Sequence, residues 1–212
     1  GAGPSHSALT GAFQRAGWRT VGIMPGLTRD WPEGAFYDFD RVYDSRQLGY
    51  RGPKFTWAPM PDQYTLEAFQ RLERSTADRR PVMAEIPLVS SHHPWAPIPE
   101  LVGWDQLGDG TVFGPIQAAG PGPAEVWKDS ARVRSEYARS IAYSMDSLIS
   151  YVQTYGDDDL VLVLVGDHQP LPIIAGHGAV PDVPIPYAHG LEHAVLPNTD
   201  RIEAAIRAVM GV

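Results

Sequence analysis

The sequence predicts an α/β domain with a largely parallel sheet, and three observations carry that reading. Leu160 to Val165 is a run of six apolar residues closed by Gly166, too short for a membrane span, and it reads as a strand buried on both faces. Trp18–Met24 and Val82–Val89 read as two further strands. Helical stretches and long crossovers separate all three, as parallel pairing requires. Polar residues then gather where these strands end. Asp167-His168 follows Gly166, and Ser90-Ser91-His92-His93-Pro94-Trp95 follows Val89. Ligands of open α/β sheets bind at the carboxyl edge of the strands, so both groups are candidate site residues.

In chain order, Ser7 caps a short helix with Ala8, Leu9, Ala12 and Phe13 on one side and Gly17 as its stop. The first strand ends at Pro25-Gly26. Residues 27–61 are rich in Gly, Pro and aromatics and read as a long loop packed over a site. Asp62 caps the next helix, whose stripe is Tyr64, Leu66, Phe69 and Leu72 and which closes at Arg79-Arg80-Pro81. After the second strand, residues 96–122 form another loop. A long helix runs from about Ala124 to Tyr155. Val133, Tyr137, Ile141, Met145, Leu148 and Val152 recur there at spacings of three and four, which predicts a core-facing stripe. Asp157-Asp158-Asp159 is a solvated turn into the strand at Leu160. A short edge strand near Val183–Ile185 follows, and Asn198-Thr199 caps a last helix from Asp200 to Met210.

Composition narrows the classes of partner. At 212 residues, 43% hydrophobic and 20% charged, the chain is globular and fits within one domain. A formal charge of −8 with no basic run argues against a nucleic acid partner and provides no polybasic membrane patch. The absence of cysteine removes disulfides, thiolate metal sites and cysteine nucleophiles. No apolar stretch reaches the roughly 20 residues of a membrane helix. The opening Gly1-Ala2-Gly3-Pro4-Ser5 carries neither an initiator Met nor a signal peptide, and we read the chain as part of something longer.

The candidate site residues are Asp167, His168, His92, His93 and His177. A carboxylate beside an imidazole suits Zn²⁺ or Mn²⁺, whereas calcium asks for more oxygen ligands. Such a metal polarises the oxygen of a phosphate or sulfate ester and lowers the pKa of a hydroxyl nucleophile. A neighbouring imidazole positions the anion or protonates the leaving oxygen. Each residue also has a plainer reading. Asp167 is then a turn cap, one of His92 and His93 bonds a loop carbonyl, and Trp31, Trp57 and Trp95 are packing residues. Ser90 or Ser91 acting with His168 as a serine hydrolase lacks the supporting Gly-x-Ser-x-Gly turn.

These residues also carry a family likeness. Gly166-Asp167-His168 at a strand end, preceded by the Tyr137-to-Tyr155 helix, resembles the alkaline phosphatase/sulfatase superfamily. Ser91-His92-His93-Pro94-Trp95 resembles the strand-end His motif of its membrane-anchored branch, which includes lipoteichoic acid synthases and phosphoethanolamine transferases. Ala16-Gly17-Trp18-Arg19-Thr20, Phe36-Tyr37-Asp38-Phe39-Asp40, Met60-Pro61-Asp62-Gln63-Tyr64 and Gly166-Asp167-His168-Gln169-Pro170 are similar to a bacterial sulfatase-like subgroup. The resemblance covers most of residues 7 to 185. It implies a three-layer α/β/α fold, alkaline phosphatase-like, with residues 1–212 as the C-terminal portion of one sulfatase-like domain.

It further implies metal ligation by Asp167 and His168, with His177 as a further ligand, and substrate contact by His93 or His92. The early acidic ligand and the Ser or Thr nucleophile would lie upstream of Gly1. The implied parent is extracytoplasmic, tethered by membrane helices outside this chain, and acts on a phosphate or sulfate ester such as a lipid headgroup. Pro25 and Leu27 stand where lipoteichoic acid synthases place a His and an Asp, so the resemblance does not extend to a glycerol phosphate substrate. The other class of reading is a non-catalytic module of the same fold that binds an anionic ligand or a cell-envelope partner.

Overall fold

A computed structural model describes residues 9–78, 80–168 and 170–175. Its centre is β1 (Arg19–Met24), in which five of six residues are buried. Such a strand must have neighbours on both edges, and it does. β2 (Arg41–Asp44) and β3 (Val82–Glu85) flank it in the order β2-β1-β3, all parallel, with Val21 opposite Arg41 on one side and Ala84 on the other. The two faces of β1 take different layers, as the alternation of side chains dictates. Val21 and Ile23 join the main core, with Tyr64, Leu66 and Phe69 of α2 (Asp62–Phe69) and Leu148 and Tyr151 of α5 (Ser130–Tyr155). Thr20 turns the other way, and its hydroxyl accepts from Gln14 of α1 (Leu9–Arg15) at 3.1 Å.

A buried carboxylate ties the sheet to the end of α2. A π-helical turn, Gln70–Arg74, extends α2 and presents buried Glu73. Arg19 grips it through Nε at 2.6 Å and Nη2 at 2.8 Å, and the Tyr43 hydroxyl of β2 donates to the same carboxylate at 2.7 Å. That pairing locks β1, β2 and the end of α2 into one pole.

Several expectations are corrected. The stretch read as a loop over 27–61 contains β2 and a 3-10 turn, Pro32–Tyr37. Arg-Val-Tyr-Asp has too few apolar residues to read as a strand, and only β1's free edge recruits it. Asp62 is the first residue of α2 rather than its cap, and the helix ends before Arg79-Arg80. The second strand stops at Glu85, short of Val89, because Pro87 has no N–H for a ladder. Two short helices, α3 (Phe113–Ala119) and α4 (Pro123–Val126), precede α5, so the helix expected from Ala124 is broken. Asp129 caps α5, accepting from the Ala131 N–H at 2.8 Å.

The buried face of α5 is also not the predicted one. Val133 and Leu148 are buried, but Ile141, Met145 and Val152 are exposed. The inward face carries Ser140, Tyr143, Ser144, Ser147 and Tyr151 instead. Small serines let α2 approach closely. Ser140 and Ser147 satisfy their hydroxyls on the carbonyls of Tyr137 and Tyr143 in their own helix.

The largest correction concerns Leu160–Val165. This segment is not a buried strand: among the described residues it makes no sheet pairing, and Val161 through Val165 are 49% to 85% exposed. Its course is nevertheless defined by its two ends. Arg74 pairs with Asp157 and donates to the Tyr155 carbonyl at 3.0 Å, at the pole of Arg19 and Glu73. At the other end Arg134 donates to the Ile173 carbonyl at 3.1 Å, and Ile173 and Ile174 of α6 (Pro172–Ala175) pack on a second core of Trp95, Ala96, Val126 and Val133. The chain thus leaves the carboxyl end of α5 at Tyr155 and returns to Arg134 near its amino end. The edge strand expected near Val183 and the last helix lie outside the described residues.

Candidate functional site

The carboxyl end of β1 breaks at Pro25-Gly26, and the groups that gather there come from loops. Trp57 is at the tip of a tight turn whose buried ends, Phe55 and Ala58, bond each other in both directions at 3.1 and 3.2 Å. Thr56 within that turn has φ +56°, a left-handed conformation uncommon for a β-branched residue. The turn lays the indole over Gly26, where an added Cβ would sit 3.5 Å from the ring and 3.9 Å from Val89.

His92 stacks on Trp57 with ring centroids 3.9 Å apart and planes 21° from parallel. Its Nδ1 lies 2.7 Å from the His93 carbonyl, which can only accept, so Nδ1 carries a proton and the bond fixes the ring's orientation. His93 is exposed, 4.7 Å from the His92 ring and edge-on to Trp95 at 6.4 Å. Trp95 is buried with φ +57° and anchors the segment by donating from Nε1 to the Ser91 carbonyl at 2.8 Å. Trp127 stacks on it and donates to the Pro94 carbonyl at 2.9 Å. Two indoles thus pin the backbone on either side of the imidazoles.

Asp167 and His168 are at the far end of the exposed segment. The His168 N–H donates to Asp167 Oδ1 at 2.9 Å, and His168 Nε2 lies 3.6 Å from Asp167 Oδ2. Five residues beyond His168, Ile173 and Ile174 of α6 pack on the Trp95 cluster. Among the described residues, no three His, Asp or Glu side chains come together as a metal-holding group. His177 lies outside the described residues.

A concavity of about 410 Å³ opens beside the carboxyl ends of β1 and β2 and is lined by Arg29, Asp30, Trp31, Asp44 and Arg46 among others. Arg46 bonds Asp30 and Asp44, both at 2.6 Å, and its guanidinium holds the Asp44 carboxyl below the ordinary carboxylate range. These charges largely neutralise one another. Ser90, weighed as a nucleophile, is buried and its hydroxyl accepts from the Asp62 N–H at 2.9 Å.

Trp57 and Asp62 are the residues that sequence reading missed here. Trp57 looked like packing and Asp62 like a helix cap, and nothing local distinguishes them. Comparison with family models, with curated proteins and with solved structures finds no match for the chain.

Proposed function

We propose that the chain is part of a metal-dependent, sulfatase-like hydrolase or transferase acting on phosphate or sulfate esters, with the nucleophile supplied by residues upstream of Gly1. The observation that supports this reading is that His92 and His93 follow the carboxyl end of β3 in a parallel sheet; that Asp167 and His168 converge on them is part of the proposal. Ligands of such sheets collect at that edge. Asp167 and His168 offer one carboxylate and one imidazole, a donor set suited to Zn²⁺ or Mn²⁺, with His177 as a third. When bound, the metal supplies Lewis acidity to the ester oxygen and to an attacking hydroxyl.

In this reading the imidazole of His93 or His92 holds the anion through a ring N–H and carries a proton to the leaving oxygen. The exposed indole of Trp57 beside it limits approach to one side. The parent is extracytoplasmic and membrane-anchored, with a lipid headgroup among its substrates. No helix of the described residues is long and apolar enough to cross a membrane, so the anchor belongs elsewhere in the parent.

Hydrolysis of p-nitrophenyl phosphate and p-nitrophenyl sulfate tests this, with Mn²⁺ or Zn²⁺, for residues 1–212 and for a chain extended upstream. The expected result is turnover by the extended chain alone, abolished by His168→Ala. Activity of residues 1–212 would place the nucleophile inside them. The second reading, a non-catalytic module binding an anionic ligand or envelope partner, is favoured by Pro25 and Leu27 in place of a His and an Asp. Inactivity of both chains on every ester, lipid headgroup donors included, would select it.

A further inference from the structure

The buried carboxylate of Asp62 takes no part in the chemistry described so far, yet three segments meet on it. It is fully buried at the first position of α2. Oδ1 accepts the backbone N–H groups of Val89 at 2.7 Å and Ser90 at 2.9 Å, and Oδ2 accepts the Ser144 hydroxyl of α5 at 2.6 Å. In return the Asp62 N–H donates to the Ser90 hydroxyl at 2.9 Å. This is the reciprocal arrangement of a capping box, made between segments 28 residues apart in the chain. Burial pushes the Asp62 carboxyl up, and the donors from Ser144, Ser90 and Val89 pull it back down.

What the carboxylate holds is the turn that launches the imidazoles. The Val89 carbonyl accepts from the His92 N–H at 3.2 Å, so the turn whose first two amides Asp62 fixes ends at the residue stacked on Trp57. Beyond Glu85 the chain has left the sheet, and no ladder sets its direction. Replacing the carboxylate would leave two buried N–H groups without an acceptor, a cost that local rearrangement of residues 89–93 would relieve.

We propose that Asp62 is a positioning residue: it sets the orientation of His92 and His93 at the candidate site by fixing the Val89-Ser90 turn. Its place in an ester-processing site rests on the function proposed above, while the positioning itself does not.

The test is nuclear magnetic resonance on residues 1–212 and on Asp62→Ala, Asp62→Asn and Ser144→Ala. Stacking on Trp57 shields the His92 ring protons, which gives a signature of the loop's orientation. In Asp62→Ala, that shielding should be lost and exchange of the Val89 and Ser90 amides should accelerate by on the order of tenfold or more. Exchange at Val21 and Ile23 in β1 should stay slow. Asp62→Asn keeps the shape and Ser144→Ala removes only the Oδ2 donor. Either variant carries the same test, with smaller changes in the same residues, if Asp62→Ala does not fold. Unchanged His92 shielding in the folded variants would overturn the proposal. So would acceleration at Val21 and Ile23 equal to that at Val89, since it would mark Asp62 as a residue of general stability. Neither readout depends on turnover, so inactivity of the upstream-extended chain would count against the ester reading, while the His92 shielding and amide exchange decide this one.

Discussion

Between Ser90 and Trp95 the backbone is tied by Asp62, by the Trp95 and Trp127 indoles and by the stack on Trp57. Leu160–Val165 lies between the Asp157–Arg74 pair on one side and the Asp167–His168 bonds on the other. The second segment is far more apolar, yet it is the exposed one. Apolar content gives a segment something to gain from burial. Whether it is buried depends on a surface that offers both contacts and hydrogen-bond partners. The His92 segment meets one and Leu160–Val165 does not.

The largest expected contrast lies in matched truncations. Trp95→Ala removes the buried ring on which Val126, Val133, Tyr137, Ile173 and Ile174 converge, and should destabilise by about 3–5 kcal/mol. Val163→Ala, on the exposed run, should stay within about 0.5 kcal/mol. Chemical denaturation measures both, and a Val163→Ala cost near that of Trp95→Ala would show the run buried in solution.

Next comes the π turn, whose neighbouring residues anchor the sheet through Glu73 and the approach to Leu160 through Arg74. Glu73→Ala strips the partner from Arg19 and Tyr43 at a buried position and should cost roughly 3 kcal/mol. Asp157→Ala breaks the pair with Arg74, whose partners are partly exposed, and should cost under about 1 kcal/mol. A double mutant with Arg74→Ala separates the ion pair from the bond to the Tyr155 carbonyl.

The smallest contrast is in alkali. Burial raises the pKa of Tyr50, Tyr64, Tyr143 and Tyr151 above 10.0, and all four lie in the tied-down part of the molecule. A raised folded-state value means that the folded form keeps its protons longer. Stability from these groups is therefore full below the ordinary tyrosine range and falls as pH rises through it toward the folded values. Tyrosinate absorbance should show these rings ionising late and together with unfolding. Ionisation of all the tyrosines well before loss of helical circular dichroism would contradict the packing around α5.

By itself the sequence determined the kinds of elements and much of their order. β1 is legible because Val21 and Ile23 recur at period two between polar ends, and α5 because its apolar residues recur at three and four. The histidines of the Ser90 segment were likewise legible as residues beyond a strand end. The tertiary structure alone decided which face, which partner and which anchor. Ser144 faces inward and Ile141 outward on the same helix because the Asp62 carboxylate offers Ser144 a bond at 2.6 Å. β2 exists because β1 has a second edge to fill. Leu160–Val165 has the sequence of a strand without the pairing, because side-chain pattern is local while a ladder needs N–H and C=O groups brought from elsewhere in the chain.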